Sequence, residues 1–289
     1  MVEYMVTSTL YNYRINMYEA IDIKFKSINI KQYNKESLAN FCSKFILDNP
    51  FISFDDIYNS NKMMECFMDR INEATRYQKK CILLFGDRGS GKSLLVHGYA
   101  HRMGGVVAQI ESDKFLRIPF FAKEFIKACF KNIAFNKPLF VYMKNIENMF
   151  SCKNQFDFIY DKVASSFKLN VYFIASTNID LRKLHKDIYN KFQFYQEVKT
   201  IETKDKAEFI KFLCDKFDIK INMNIQELNN FVVQNLENFP NRKIYELIKC
   251  AINFKKQKVI KNDEPNWVYR EGLNLIDLQD AMSGVNPFM

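Results

Sequence analysis

Lys80–Tyr99 reads K-C-I-L-L-F-G-D-R-G-S-G-K-S-L-L-V-H-G-Y, and this stretch decides the fold. Cys81–Phe85 is a short apolar run of the kind that forms a buried parallel strand. Gly86–Ser93 then satisfies the pattern G-x-x-x-x-G-K-[ST] in full, and a helix-like stretch follows from Lys92. Strand, glycine-rich loop and helix N-terminus in this order make a phosphate cradle. Gly89 and Gly91 let the backbone turn so that its N–H groups face a β-phosphate, and the helix end adds positive potential. Lys92 is placed to reach the outer phosphates and Ser93 to offer a hydroxyl to Mg2+. The expected ligand is ATP or ADP, held by Asp87, Arg88, Gly89, Ser90, Gly91, Lys92, Ser93 and Leu94.

Working outward, four more short apolar or aromatic runs read as strands: Gly105–Ile110, Leu139–Met143, Val171–Ala175 and Phe194–Val198. Helix-like stretches lie between them at Lys92–Met103, Ala122–Ile133, Phe156–Phe167 and Leu184–Lys191. Alternating β and α predicts an α/β fold, with five parallel strands in the order 5-1-4-3-2 and the loop-bearing strand inside the sheet. After about Thr203 only amphipathic helices remain: Lys204–Phe217, Ile225–Leu236, Asn241–Gln257 and Leu275–Ser283. The expected division is an aromatic, partly helical segment over 1–44 with a helix at Lys35–Ile46, an α/β nucleotide-binding domain over 45–200, and a helical lid over 201–289.

The chain carries 42 Lys and Arg against 33 Asp and Glu, a net charge of +9. That permits an acidic partner, but no dense basic run of the nucleic-acid type is present, so composition bias is the simpler reading. Seven cysteines without a C-x-x-C pair predict buried reduced thiols, with neither a disulfide framework nor a zinc site. The first residues have no signal-peptide pattern and no apolar run reaches membrane-spanning length, so a cytoplasmic or nuclear address is expected. His97 and His101 are spaced i, i+4 but lack a third ligand and read as ordinary helix residues. Trp267 reads as a packing anchor.

A P-loop needs a second element at the end of a neighbouring strand, where an Asp holds Mg2+ through water and a Glu activates the attacking water. The candidate is P-L-F-V-Y-M, which runs into Lys144-Asn145-Ile146-Glu147. Lysine and asparagine stand where the two carboxylates are expected. Glu147 is left as a candidate displaced base, two residues further on.

At this point the chain resembles the AAA ATPases, and within them the katanin, spastin and fidgetin (meiotic) group, from about Phe45 to the C-terminus. S-F-D-D-I at Ser53–Ile57 is similar to the group's leading segment by the adenine, which implies nucleotide contacts at Asp56 and Ile57. I-A-S-T-N at Ile174–Asn178 resembles the sensor-1 strand, implying that Asn178 orients the attacking water. D-L-Q-D-A-M-S-G-V-N-P-F-M resembles the group's C-terminal helix. The departures concern catalysis. The family's finger arginines fall on Tyr189-Asn190-Lys191-Phe192. The first pore loop reads Arg117-Ile118-Pro119-Phe120-Phe121-Ala122 without the aromatic-Gly-Glu pattern, so Phe120 and Phe121 are either substrate-gripping or core. An ammonium at Lys144 would repel Mg2+ and partly replace it, or else reach solvent.

The resemblance implies an ATP-binding AAA+ subunit of the protein-remodelling type, in a ring or hetero-oligomer with other AAA subunits. The degenerate strand end implies weak or no hydrolysis and a weakened Mg2+ requirement. The alternatives are an active ATPase using Glu147, or a DNA-associated AAA+ subunit of the clamp-loader or origin-binding kind.

Overall fold

The computed structural model describes residues 35–48, 50, 52–58, 60–111, 113–131, 137–166, 169–260 and 272–284. Trp267 and most of the aromatic N-terminal segment lie outside the described residues. The described residues divide into two compact units: residues 35–87 with 92–198, and residues 199–284 with the loop residues Arg88–Gly91.

The first unit contains a six-stranded sheet. In chain order its main elements are α1 (Lys35–Ser43), β1 (Ile46–Asp48), α2 (Ser60–Arg76), β2 (Cys81–Phe85), α3 (Lys92–Arg102), β3 (Val106–Ile110), α4 (Phe121–Lys131), β4 (Leu139–Met143), α5 (Lys153–Ala164), β5 (Val171–Thr177) and β6 (Phe194–Glu197). The sheet order is β1-β3-β4-β5-β2-β6. The pairs β3–β4, β4–β5, β5–β2 and β2–β6 are all parallel. The five parallel strands therefore stand in the predicted order, with β2 between β5 and β6.

The sixth strand, β1, is antiparallel and pairs Ile46 with Ala108 and Asp48 with Val106. The sequence reading carried the first helix through Ile46, but the helix stops at Ser43. Phe45 and Leu47 then point inward while Asp48 is exposed, and the Phe45 carbonyl accepts from the Gln109 amide at 2.9 Å. This pairing covers the β3 edge, which otherwise presents unpaired backbone groups.

Alternation along β2 splits the core in two. Cys81 and Leu83 face one layer, whereas Ile82 and Leu84 face the other. The first layer is built on phenylalanine: Phe45 meets Phe115 at 4.8 Å and Phe121 at 5.4 Å in edge-to-face contacts, and Phe121 stacks on Phe125 at 5.8 Å. These offset geometries are favourable for aromatic pairs. The second layer packs Phe67, Ile71, Leu95, Val96 and Tyr99 from α2 and α3 against the sheet.

The second unit holds α6 (Lys206–Lys216), α7 (Ile225–Asn235), α8 (Asn241–Ile260) and α9 (Leu275–Gly284). A capping box of Asn224 and Glu227 starts α7. At its other end the buried Lys206 ammonium donates to the carbonyls of Leu236 and Glu237 at 2.8 and 2.6 Å. These groups follow the last helical turn and would otherwise lack donors. Lys255 on α8 forms a buried 2.9 Å ion pair with Asp277, whose carboxylate also accepts from the Asn274 amide while Asn274 Oδ1 accepts from the Asp277 amide and caps α9.

Candidate nucleotide site

The loop after β2 has the backbone its sequence demands. Gly86, Gly89 and Gly91 adopt φ of 135°, 85° and 105°. At Gly86 a Cβ would stand 2.3 Å from the Val198 carbonyl oxygen, so only glycine lets the loop leave the sheet there. At Gly91 the backbone angle alone makes the demand, since a Cβ would meet nothing within 4 Å.

Lys92 is buried, and its ammonium donates to the carbonyls of Gly86 and Asp87, each at 2.7 Å. Burial pulls its pKa down to about 8, against the opposing pull of the Asp87 and Glu147 carboxylates. Ser93 Oγ lies 3.1 Å from the Tyr142 hydroxyl on β4, and that hydroxyl donates to Ser176 Oγ on β5 at 3.0 Å. Tyr142 is fully buried, and burial pushes its phenol up to about 12, so it stays protonated.

The end of β4 is built differently from a two-carboxylate site. Lys144 is largely shielded, with its ammonium 3.6 Å from Glu111 just past β3. Glu111 also accepts from Gln109 at 2.9 Å, and Gln109 bonds His97 on α3 at 2.7 Å. Asn145 sits at φ 51° and its side-chain oxygen accepts from Asn178 Nδ2 at 2.6 Å. Glu147 approaches the same point: its Oε1 lies 3.5 Å from the Asn178 amide, and its Oε2 is buried with no hydrogen-bond partner among the described residues. The fold thus brings Lys92, Asn145, Glu147 and Asn178 to one region at the C-terminal ends of the parallel strands.

For Mg2+, the loop offers one ligand, Ser93 Oγ, and the strand end offers an ammonium paired with a carboxylate. Among the described residues no group of three or more His, Cys, Asp or Glu is placed to hold a metal. The site fits a cation brought in by phosphate oxygens and Ser93, and does not fit one anchored by protein carboxylates.

The other sequence candidates fall as follows. Asp56 accepts from the Ser53 amide at 2.9 Å, closing the turn that carries Ile57. Ile57 is buried against α3, where Gly98 gives it room: a Cβ there would be 2.8 Å from Ile57 Cδ1. Sequence reasoning missed Gly98, whose only signal was a glycine inside an otherwise regular helix. Lys191, at the finger position, is turned onto α5. Its ammonium lies 3.0 Å from Asp157 and 4.3 Å from the centre of the Tyr160 ring. Phe121 is core, whereas Phe120 is 66% exposed at φ 64°. His97 is buried and His101 bonds the Pro50 carbonyl at 2.6 Å, on different partners. No helix among the described residues is long and apolar enough to cross a membrane.

A complete P-loop on an inner strand of a parallel sheet, with its lysine and serine converging on the ends of β4 and β5, defines a P-loop nucleotide-binding protein. Residues 82–200 match the family model described as the ATPase family associated with various cellular activities (AAA). No curated protein matches the sequence. Among solved structures the fold is that of the FIGL-1 AAA domain in complex with ADP, with TM-score 0.67 and 14% identity over 90% of this chain and 94% of that one. The katanin structure described under its self-assembly is similar, with TM-score 0.66 and 15% identity over 90% and 94% of the two chains. At these identities the likeness is one of fold.

Proposed function

We propose that this chain is a nucleotide-binding AAA subunit that holds ATP and hydrolyses it slowly or not at all. The observation that carries this reading is the 2.6 Å bond from Asn178 to Asn145. The residue expected to orient water is bonded to an amide oxygen, which does not take up a proton at neutral pH. Loss of a general base costs on the order of 10²–10⁴ in rate. The inward turn of Lys191 points the same way, because loss of an arginine finger costs on the order of 10³–10⁵ in related NTPases.

Binding has the parts it needs. The loop amides and Lys92 hold the phosphates, and Asp56 with Ile57 flank the nucleoside side in the AAA manner. Mg2+, when bound, neutralises phosphate charge; Ser93 is the residue that would hold it, and Lys144 already places positive charge nearby, compensated by Glu111. Affinity therefore depends only modestly on Mg2+. We place the chain in a cytoplasmic or nuclear ring with other AAA subunits, acting on a protein assembly. The similarity to the katanin structure described under its self-assembly supports association with other AAA subunits.

A second reading rests on Glu147. Its buried Oε2, without a hydrogen-bond partner among the described residues, is the feature a displaced base would have. One experiment separates the two readings. The purified chain is loaded with ATP and Mg2+, separated from free nucleotide, and the bound nucleotide identified by chromatography over hours. Intact ATP is expected. Stoichiometric conversion to ADP that stops in Glu147→Gln overturns the first reading in favour of the second.

A further inference from the structure

Tyr142 lies on β4, two residues before the position where the missing carboxylates belong, and most of its surroundings are apolar core. Its hydroxyl nevertheless joins two serines on separate elements, Ser93 at the head of α3 and Ser176 on β5. A phenol has a single proton. That proton goes to Ser176, so the Ser93 bond must run the other way, with the Ser93 hydroxyl donating and the Tyr142 oxygen accepting. Ser93 thus spends its proton on the sheet, and neither lone pair of Oγ is committed to Tyr142. That is the polarity required of a hydroxyl that ligates a cation. A carboxylate at position 144 would be the natural acceptor for this proton, but Lys144 has no acceptor to offer.

We propose that Tyr142 is a positioning residue that replaces the missing strand-end carboxylate as acceptor of the Ser93 proton. It keeps Ser93 Oγ as the protein ligand for the divalent cation that accompanies the nucleotide, and Ser176 fixes the direction of the chain. The proposal rests on the nucleotide-binding part of the reading above and is independent of the rate of hydrolysis.

The test is the calorimetric affinity for ADP in excess Mg2+ and in excess EDTA. It is measured for the wild type, Tyr142→Phe, Ser93→Ala, their double variant and Ser176→Ala. The wild type should gain about fivefold to tenfold from Mg2+, the size of one hydrogen-bond-scale contact. Tyr142→Phe should cut that gain to about twofold while leaving the EDTA affinity unchanged. Ser93→Ala should cut the Mg2+ gain to the same extent, and the double variant should cut it no further. Ser176→Ala keeps the phenol but frees its proton to turn onto Ser93 Oγ, so it too should lower the gain, which a purely structural phenol would not do. A full Mg2+ gain in Tyr142→Phe, an equal loss with and without metal, or no gain in the wild type overturns the proposal. A wild-type chain that binds no ADP under either condition overturns the nucleotide-binding reading itself.

Discussion

Lys92 should take up a proton when nucleotide binds, and the amount is set by its burial. The ordinary lysine value is 10.5, and in the folded chain it falls to about 8. At pH 8 the ammonium is then about half deprotonated, and at pH 7 only about a tenth. A phosphate placed against it favours the charged form and restores the missing fraction. Binding of ADP should therefore take up about half a proton at pH 8 and about a tenth at pH 7. Calorimetry in two buffers of different ionisation enthalpy reads this number directly. The same depressed value fixes the sign for stability. Between about pH 8 and 10.5 the unfolded chain binds more protons than the folded one, so the nucleotide-free protein should become more stable as pH rises through that window. In Lys92→Met this increment should vanish, and phosphate binding should weaken about tenfold or more for loss of a charge-assisted contact. Equal uptake at pH 7 and 8, or an unchanged stability slope in Lys92→Met, would refute the reasoning.

Two further predictions concern the scaffold. Gly86→Ala should cost at least about 3 kcal/mol in urea denaturation, because the new Cβ meets the Val198 carbonyl at 2.3 Å; Gly91→Ala, with open space around it, should cost only its backbone strain of about 1–3 kcal/mol. Lys255→Met should destabilise the chain by about 3 kcal/mol or more by stranding the buried Asp277, and adding Asp277→Leu should recover part of that loss.

The strand order was legible in the sequence because five apolar runs alternate with helices and a complete loop motif marks the strand that lies inside the sheet. The replaced pair Lys144-Asn145 was equally legible, as a break in a pattern of fixed spacing. What those residues touch was not. The Glu111 partner of Lys144 comes from the end of a neighbouring strand 33 positions earlier in the chain, and only the parallel pairing of β3 with β4 brings them together. Tyr142 read as one more strand aromatic, since nothing local reveals that its hydroxyl meets two serines. Ile46–Asp48 carried no signal against helix, because three residues are too few to show a period of two. Lys191 stood where a finger arginine would be, and only the fold shows that it turns onto Asp157 and Tyr160.

The amide of Asn145 stands where the base should be, which leaves the chain without turnover. Steady-state hydrolysis of Mg-ATP by the purified chain, measured beside Lys92→Ala and Glu147→Gln, tests it most directly. Wild type and both variants should release phosphate at the same background rate. Turnover by the wild type well above Lys92→Ala, and lost in Glu147→Gln, would contradict it.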